Sequence, residues 1–506
     1  MLARLAALPL VIHVMGLGAV SMLLPAIHAE AIGDHHVARA FFYASLLFMI
    51  LVAMVAIAVS GTRIRRRERS HLITIVATFT VLPLMLAVPV VEAMGNTTFF
   101  NAYVEMVSSL TTTGATVFLP ERLSPSVHLW RAQVGWMGGF FVWLTAVAIL
   151  APLNLGGFEV RSSSSEIGQG ASGTTPVTRV ADLSERVMRF GVRLFPIYLG
   201  LTVILWALLN ITGDTPLVAL CHAMSTLATS GISPLAGPMA AGGGVAAEVV
   251  VFIFLMFALS RMTFSPDERP EGWRSLLVDR ELRIGLLIVV TVPILLVARH
   301  WLGAIEVTGE TDLMDLFLVL WGSAFTVLSF LTTTGFESGG WAAAKDWSGL
   351  GTPGLILMGL AVLGGGVATT AGGVKLLRVH ALYQHGLREM ERLVHPNSVG
   401  GSGQSARQMR RQGAYVAWIF FMLFAMSIAA GTTAFAAAGV RFDDAIVLTI
   451  SALTTTGPLI AAAAPEAIDL AAEAPLVRGI YTLAMVVGRL ETLAIIALLN
   501  PDFWRS

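Results

Sequence analysis

Cysteine is all but missing. A single one, Cys221, stands in 506 residues, so no disulfide within the chain can brace it. Charge is scarce too: Asp, Glu, Lys and Arg make up 13% of the residues, where an average soluble domain carries about 25%. The 32 basic and 32 acidic residues cancel, so no basic excess points to nucleic acid. There is no Walker A phosphate loop, no GxGxxG after a strand, no HExxH and no GxSxG. A nucleotide-driven motor within this chain, a zinc protease and a serine hydrolase therefore have no support. What is abundant is apolar. Hydrophobic residues reach 56%, and mean hydropathy is +0.77. That excludes an ordinary soluble enzyme, a disordered chain and a secreted disulfide scaffold, and leaves a polytopic integral membrane protein.

A helix crosses the hydrocarbon core in about 20 mostly apolar residues. Ten such stretches are predicted, near 5–28, 39–60, 70–92, 129–153, 191–211, 245–262, 284–301, 353–379, 412–437 and 476–500. An even number puts both termini on one side. Lys and Arg crowd that side, so both termini are expected in the cytoplasm. Acidic residues, Glu105, Glu121, Glu337 and Asp443 among them, fall to the outer loops. There they would form a cation-attracting rim or simply solvate the loops. The first stretch has Arg4 and Ala-Ile-His-Ala over 26–29, features shared with signal peptides, but its apolar run is long and a second span follows at once. A retained helix is expected.

Between the spans lie four half-polar segments too short to cross, near 98–113, 215–230, 315–334 and 442–456. Irregular backbone at membrane depth is tolerated only when buried in protein or lining water, so these read as re-entrant. They end alike: Ser-Ser-Leu-Thr-Thr-Thr-Gly over 108–114, Ser-Thr-Leu-Ala-Thr-Ser-Gly over 225–231, Ser-Phe-Leu-Thr-Thr-Thr-Gly over 329–335 and Ser-Ala-Leu-Thr-Thr-Thr-Gly over 451–457. Each has Ser six before the glycine, Leu four before and Thr two before; the glycines lie 117, 104 and 122 residues apart. The chain is therefore predicted to be all-α, with four pseudo-symmetric helix–pore loop–helix repeats around one pore behind two leading helices. The expected divisions are 1–69 for the leading helices and 70–160, 161–277, 278–410 and 411–506 for the repeats.

The physics of such a unit is specific. A half-helix enters from outside and stops mid-membrane, and the chain returns in extended form through the Thr/Gly run. Four such loops around one axis present rings of backbone carbonyls that can replace an ion's water shell. The half-helix C-termini aim their negative dipole ends at the same place. Close packing of helices by small residues is the plainer reading of one such run. Four in register, each in the same context, favour a pore. The expected ion-contacting residues are Thr112, Thr113 and Gly114; Thr229, Ser230 and Gly231; Thr333, Thr334 and Gly335; and Thr455, Thr456 and Gly457.

With Ser-Leu-Thr-Thr-Thr-Gly-Ala-Thr-Val over 109–117 and Val-Gly-Arg-Leu-Glu over 487–491, the chain resembles the Trk/Ktr/HKT superfamily of potassium transporters, most closely the bacterial Trk potassium-uptake membrane subunit. The resemblance covers nearly the whole chain. It implies potassium as the transported substrate, held at Thr112, Thr229, Thr333 and Thr455, because glycine in all four loops goes with potassium in that family and serine in the first goes with sodium. It also implies a homodimer in the bacterial inner membrane, no organic cofactor, and a separate cytoplasmic ring of nucleotide-binding RCK domains that controls the gate. Copy two, with Ala-Thr-Ser-Gly, and copy four, with Gly-Pro, depart from the commonest wording.

The gate is predicted in the span 353–379, whose centre holds Gly364, Gly365, Gly366, Thr369, Thr370, Gly372, Gly373 and Lys375. Glycine and threonine in mid-span break a helix, and broken backbone there must line a cavity. The resemblance implies the loop that obstructs the pore. Lys375 reads equally as a snorkelling anchor or a gating residue. Arg489 lies inside a span, where a charge costs about 2.5–3.5 kcal/mol or more and marks function. Glu491, two residues on, points elsewhere on a helix. Arg489 is expected to face the pore, repelling cations or bonding the loop's carbonyls, against the alternative of tying helices together. Three further readings remain: a sodium-selective or non-selective transporter of the same fold, an intramembrane enzyme built on Arg489, Glu491 and a histidine, and a membrane scaffold. Cys221 and His222 alone are too few to hold a metal. The polar segments 156–185, 261–283 and 380–411, the last Gly/Ser-rich over 397–406, read as linkers.

Overall fold

The structure, a computed structural model, describes residues 9–59, 67–150, 183–260, 279–303, 313–395, 411–464 and 468–490. Among them every regular element is helical. Most of the polar segments 156–185 and 261–283, residues 396–410 of the third, and Glu491 lie outside the described residues, whereas 380–394, expected as linker, continues helix Leu376–Val394.

Six helices are long and apolar enough to cross a membrane: Leu10–Ala31, His35–Val59, Thr74–Met94, Val187–Thr212, Arg280–Arg299 and Gly413–Ala437. Ten were expected. The other four predicted spans correspond to helices that are interrupted, shorter or more polar: Pro125–Thr145 with a π-helical end at Ala146–Leu150, Gly244–Leu255 with a 3-10 end at Met256–Leu259, Gly354–Leu363, and Pro475–Leu490. The physical reason is their position. All the long helices but Thr74–Met94 are mostly unburied, as His35–Val59 is with Leu47, Ile50, Met54 and Ile57, and lipid accepts these without cost. Helix Pro125–Thr145 is buried along nearly its whole length and carries His128, Arg131 and Gln133 inside.

The short helices Phe99–Leu110, Pro216–Ala228, Leu313–Leu331 and Phe442–Leu453 each pack between the helix before and the helix after. The third is longer than the other three, at 19 residues. A second set of contacts joins the units. The short helix Pro216–Ala228 packs on Pro125–Thr145, Leu313–Leu331 on Gly244–Leu255, Phe442–Leu453 on Gly354–Leu363, and Phe99–Leu110 on Pro475–Leu490. Each short helix thus leans on the second helix of the preceding unit, and the first leans on the last. The arrangement closes into a ring.

The leading helices lie outside this ring and pack on its first unit. Ser45 donates to the carbonyl of Ala19 at 2.8 Å, and the Phe41 ring meets Trp130 edge-on at 5.6 Å.

Candidate functional site

Each short helix ends in a Schellman turn, and that turn is the repeated motif. In the first copy the amide of Thr113 donates to Ser108 O and the amide of Thr112 to Ser109 O, both at 2.9 Å. The same pair of bonds joins Ser230 to Ser225 and Thr229 to Thr226, Thr334 to Ser329 and Thr333 to Phe330, and Thr456 to Ser451 and Thr455 to Ala452. In this turn one residue must be left-handed, and glycine usually holds the place. Here Thr112, Thr229, Thr333 and Thr455 hold it, with φ of 55°, 49°, 58° and 54°. The run is therefore a tight turn before it is extended, which differs from the straight return expected from sequence. A β-branched residue in this conformation is a genuine outlier; four in register mark a constrained site.

The other motif positions have roles too. Ser108 Oγ donates to Ala115 O at 2.6 Å and Ser451 Oγ to Thr456 O at 3.1 Å, tying the helix to the returning chain. Thr111 and Thr113 pair through their hydroxyls at 2.8 Å, as do Thr332 with Thr334 and Thr454 with Thr456 at 3.1 Å. Copy two has Ala228 at the first of these positions, and Ser230 bonds Ser225 Oγ instead, at 3.1 Å.

The four turns touch in cyclic order. A Cβ on Gly114 would fall 1.8 Å from Ser230 O, and one on Gly231 would fall 2.1 Å from Thr334 O. One on Gly335 would meet the Pro458 ring at 3.0 Å, and one on Gly457 the Ala115 amide nitrogen at 2.1 Å. The Gly457 amide donates to Thr113 O at 2.6 Å, so this carbonyl, expected to face an ion, is already engaged by its neighbour. Gly114, at φ +76°, combines a close approach with a backbone angle that a side chain resists. Helix ends, carbonyls and hydroxyls here offer partial negative charge, with no carboxylate at the ring among the described residues, which suits a cation.

Buried acids stand behind the turns rather than at a rim. Glu105 was expected in the outer rim, and Arg131 lies in helix Pro125–Thr145. Both are buried, and they form an ion pair at 2.5 Å. The carboxylate also accepts from the Val117 amide at 2.9 Å, just past Gly114. Glu248 is fully buried and accepts from Gly339 N at 2.7 Å, Ser338 Oγ at 2.8 Å and Trp321 Nε1 at 2.9 Å, just past Gly335. His222 bridges Asp214 at 3.4 Å and Ser233 at 3.0 Å, just past Gly231. In copy four Tyr481 bonds Ser451 at 2.8 Å. Glu337, in the loop after Gly335, has its carboxyl raised above the usual range by burial, with Lys345 opposing.

Helix Gly354–Leu363 stops at Gly364, φ +72°, where the backbone turns into a loop that resumes as helix at Leu376. The loop runs directly against the turns. Thr370 Oγ1 donates to Leu227 O at 3.2 Å and accepts from Thr229 Oγ1 at 3.1 Å, and the Gly372 amide donates to Thr333 Oγ1 at 2.7 Å. Arg489 Nη2 donates to Thr370 O at 2.6 Å and Nη1 reaches Thr455 Oγ1 at 3.4 Å. Of the four left-handed threonine hydroxyls, three thus bond the loop or its arginine. The fourth, Thr112 Oγ1, is buried with no partner among the described residues. Lys375 is buried and donates to Ala371 O, so it does not snorkel. The structure thus brings together the predicted turn residues, Thr369 and Thr370, the loop glycines, Lys375 and Arg489. Sequence reading missed Glu105, Glu248 and Glu281, whose amide partners lie 12, 91 and 86 residues away. Their only signal was a carboxylate inside or beside an apolar run.

Among the described residues no group of three or more His, Cys, Asp and Glu could hold a metal ion. A family model described as TrkH, cation transport protein, matches residues 37–502. The Trk system potassium uptake protein TrkH of Vibrio parahaemolyticus is 29% identical over 457 residues, 87% of each chain. Its namesake in Escherichia coli strain K12 is 27% identical over 447 residues, again 87% of each. The crystal structure of the potassium transporter TrkH from Vibrio parahaemolyticus superimposes with a TM-score of 0.79 at 25% identity, covering both chains in full. These relatives are named as uptake proteins and not as enzymes, and with them this chain is a membrane transport protein rather than an enzyme. It belongs to the TrkH family of cation transport proteins.

Proposed function

We propose that the chain takes up potassium across a bacterial inner membrane through a filter formed by the four turns. In this reading the ion sheds water at Thr112, Thr113 and Gly114 and their counterparts 229–231, 333–335 and 455–457. Conduction needs sites that bind favourably yet release. The loop 364–373 lies beneath the filter and closes it; Lys375 and Arg489 hold the loop. The chain divides into the two leading helices, 1–69, and four repeats, 70–160, 161–277, 278–410 and 411–506. Both termini face the cytoplasm, where a nucleotide-binding RCK ring moves the gate of a homodimer. The positive-inside bias supports the orientation of the termini, and the ring and the dimer are what the family resemblance implies.

The observation that carries the reading is four left-handed threonines in turns that touch one another, two of them bonded to one backbone loop and a third to Arg489, which also holds that loop. The test is growth rescue of a potassium-uptake-deficient bacterium on low potassium, with rubidium influx measured alongside. Gly114→Ser forces a Cβ against Ser230 O, so the first and second turns must separate. Rescue by the parent and a shift of Gly114→Ser toward sodium are expected. Gly335→Ala, whose nearest neighbour is the Pro458 ring at 3.0 Å and whose φ of +86° also resists a side chain, serves if Gly114→Ser does not assemble, and a smaller shift is expected. Unchanged ion preference in an assembled variant would reject the filter.

A further inference from the structure

Glu281 sits in the first turn of helix Arg280–Gly303, a common place for an acid, where the helix dipole favours it. An acid there for the dipole alone is usually wet. This one is 2% exposed. Burial of a carboxylate is costly unless its oxygens are bonded. Glu281 Oε1 accepts from the amide of Val367, inside the intramembrane loop, at 3.1 Å across 86 residues. The adjoining amide of Gly366 donates to Ala258 O at 3.0 Å. Asp279, bonded to Ser260 and to the Glu281 amide, holds the start of the helix in place. Three residues along the loop, Arg489 takes the carbonyl of Thr370.

We propose that Glu281 is a second latch on the loop, opposed in charge to Arg489. The arginine holds a carbonyl from helix Pro475–Leu490; the carboxylate holds an amide from helix Arg280–Gly303. Each bond uses a full charge on a backbone dipole, the strong kind of hydrogen bond. The loop leaves the pore only when both are released. Glu281 is a positioning residue: it acts through the loop and does not touch the ion.

The inference rests on the gating role proposed above, and the experiment separates the two. Full-length chains are reconstituted in liposomes without any regulator, and rubidium influx and rubidium-over-sodium preference are measured. A chain lacking residues 366–371 tests the gate itself and should raise influx. Glu281→Ala should raise influx about tenfold, from loss of one charge-assisted bond holding the closed state. Glu281→Gln keeps an acceptor oxygen without the charge and should raise it only about twofold. Ion preference should match the parent in both. Raised influx in the loop deletion with parental influx in Glu281→Ala would overturn the latch and leave the gate standing. No rise in either would overturn both. Raised influx with altered ion preference would mean the carboxylate shapes the filter, and would also overturn the latch. If Glu281→Ala does not assemble, the twofold rise in Glu281→Gln decides, and parental influx there overturns the proposal.

Discussion

The left-handed threonine is the residue on which the site turns. Holding it costs about 1–2 kcal/mol relative to a right-handed conformation, and glycine at that place would remove the cost. The hydroxyl is what glycine lacks, and at Thr455 that hydroxyl faces Arg489. Thr455→Gly is therefore expected to keep or slightly raise the thermal midpoint in detergent while weakening the apparent affinity for rubidium. A lower midpoint with unchanged transport would show that the threonine is there for packing. The position of each threonine two before the glycine was legible in the sequence. Its handedness was not, because backbone angle leaves no mark when the residue is other than glycine. Glu105 shows the same limit: between Val104 and Met106 it reads as a loop acid, yet it is buried against Arg131 across the helix pair.

Among the elements, two glycines set how closely the second helices approach the short ones. A Cβ on Gly138 would lie 2.0 Å from Leu110 O, and one on Gly488 would lie 2.4 Å from Leu453 O. Leu110 and Leu453 are the same motif position. Glycine therefore lets helices Pro125–Thr145 and Pro475–Leu490 press on the last carbonyl of their short helices, and in the second case this brings Arg489 to Thr455. Gly138→Ala and Gly488→Ala are each expected to destabilise the protein by about 1–3 kcal/mol through overpacking. Gly200, in helix Leu183–Thr212, meets nothing within 4 Å, and Gly200→Ala should be neutral or stabilising by up to about 1 kcal/mol. Thermal midpoints of the three, in one detergent, check the ordering; equal losses at Gly138 and Gly200 would reject the close-approach argument. At this scale the apolar runs and the breaks at Gly364 were readable. The burial of helices Thr74–Met94 and Pro125–Thr145 was only partly so, because buried and lipid-facing helices alike are rich in apolar residues.

For the whole molecule, the consequential fact is closure. Turns that are 104 to 122 residues apart in sequence meet as neighbours, and the fourth bonds the first through Gly457 and Thr113. On the proposed reading, an ion held among them is bound by all four repeats at once and only in the folded state. Potassium at about a hundred times its dissociation constant should then stabilise the fold by about 2.7 kcal/mol, and sodium by less. Melting in detergent at equal ionic strength, with potassium, sodium or choline chloride, measures the difference. Identical midpoints in potassium and choline would argue against an ion site at the ring.

The sequence by itself determined the membrane class, the short helices with their repeated ends, the broken span at 364–373 and the singular charge of Arg489. Those follow from composition, run length and local hydrogen bonding, which act between residues near in the chain and so leave periodic or positional traces. Tertiary structure alone decided the cyclic order of the turns, the engagement of Thr113 O by Gly457, the burial of Glu105 with Arg131, and the grip of Glu248 and Glu281 on distant amides. A carboxylate accepting from a backbone amide some 90 residues away needs nothing special of the residue that donates. Every residue but proline has that N–H, so the partner is chosen by packing and is invisible until the helices have closed around it.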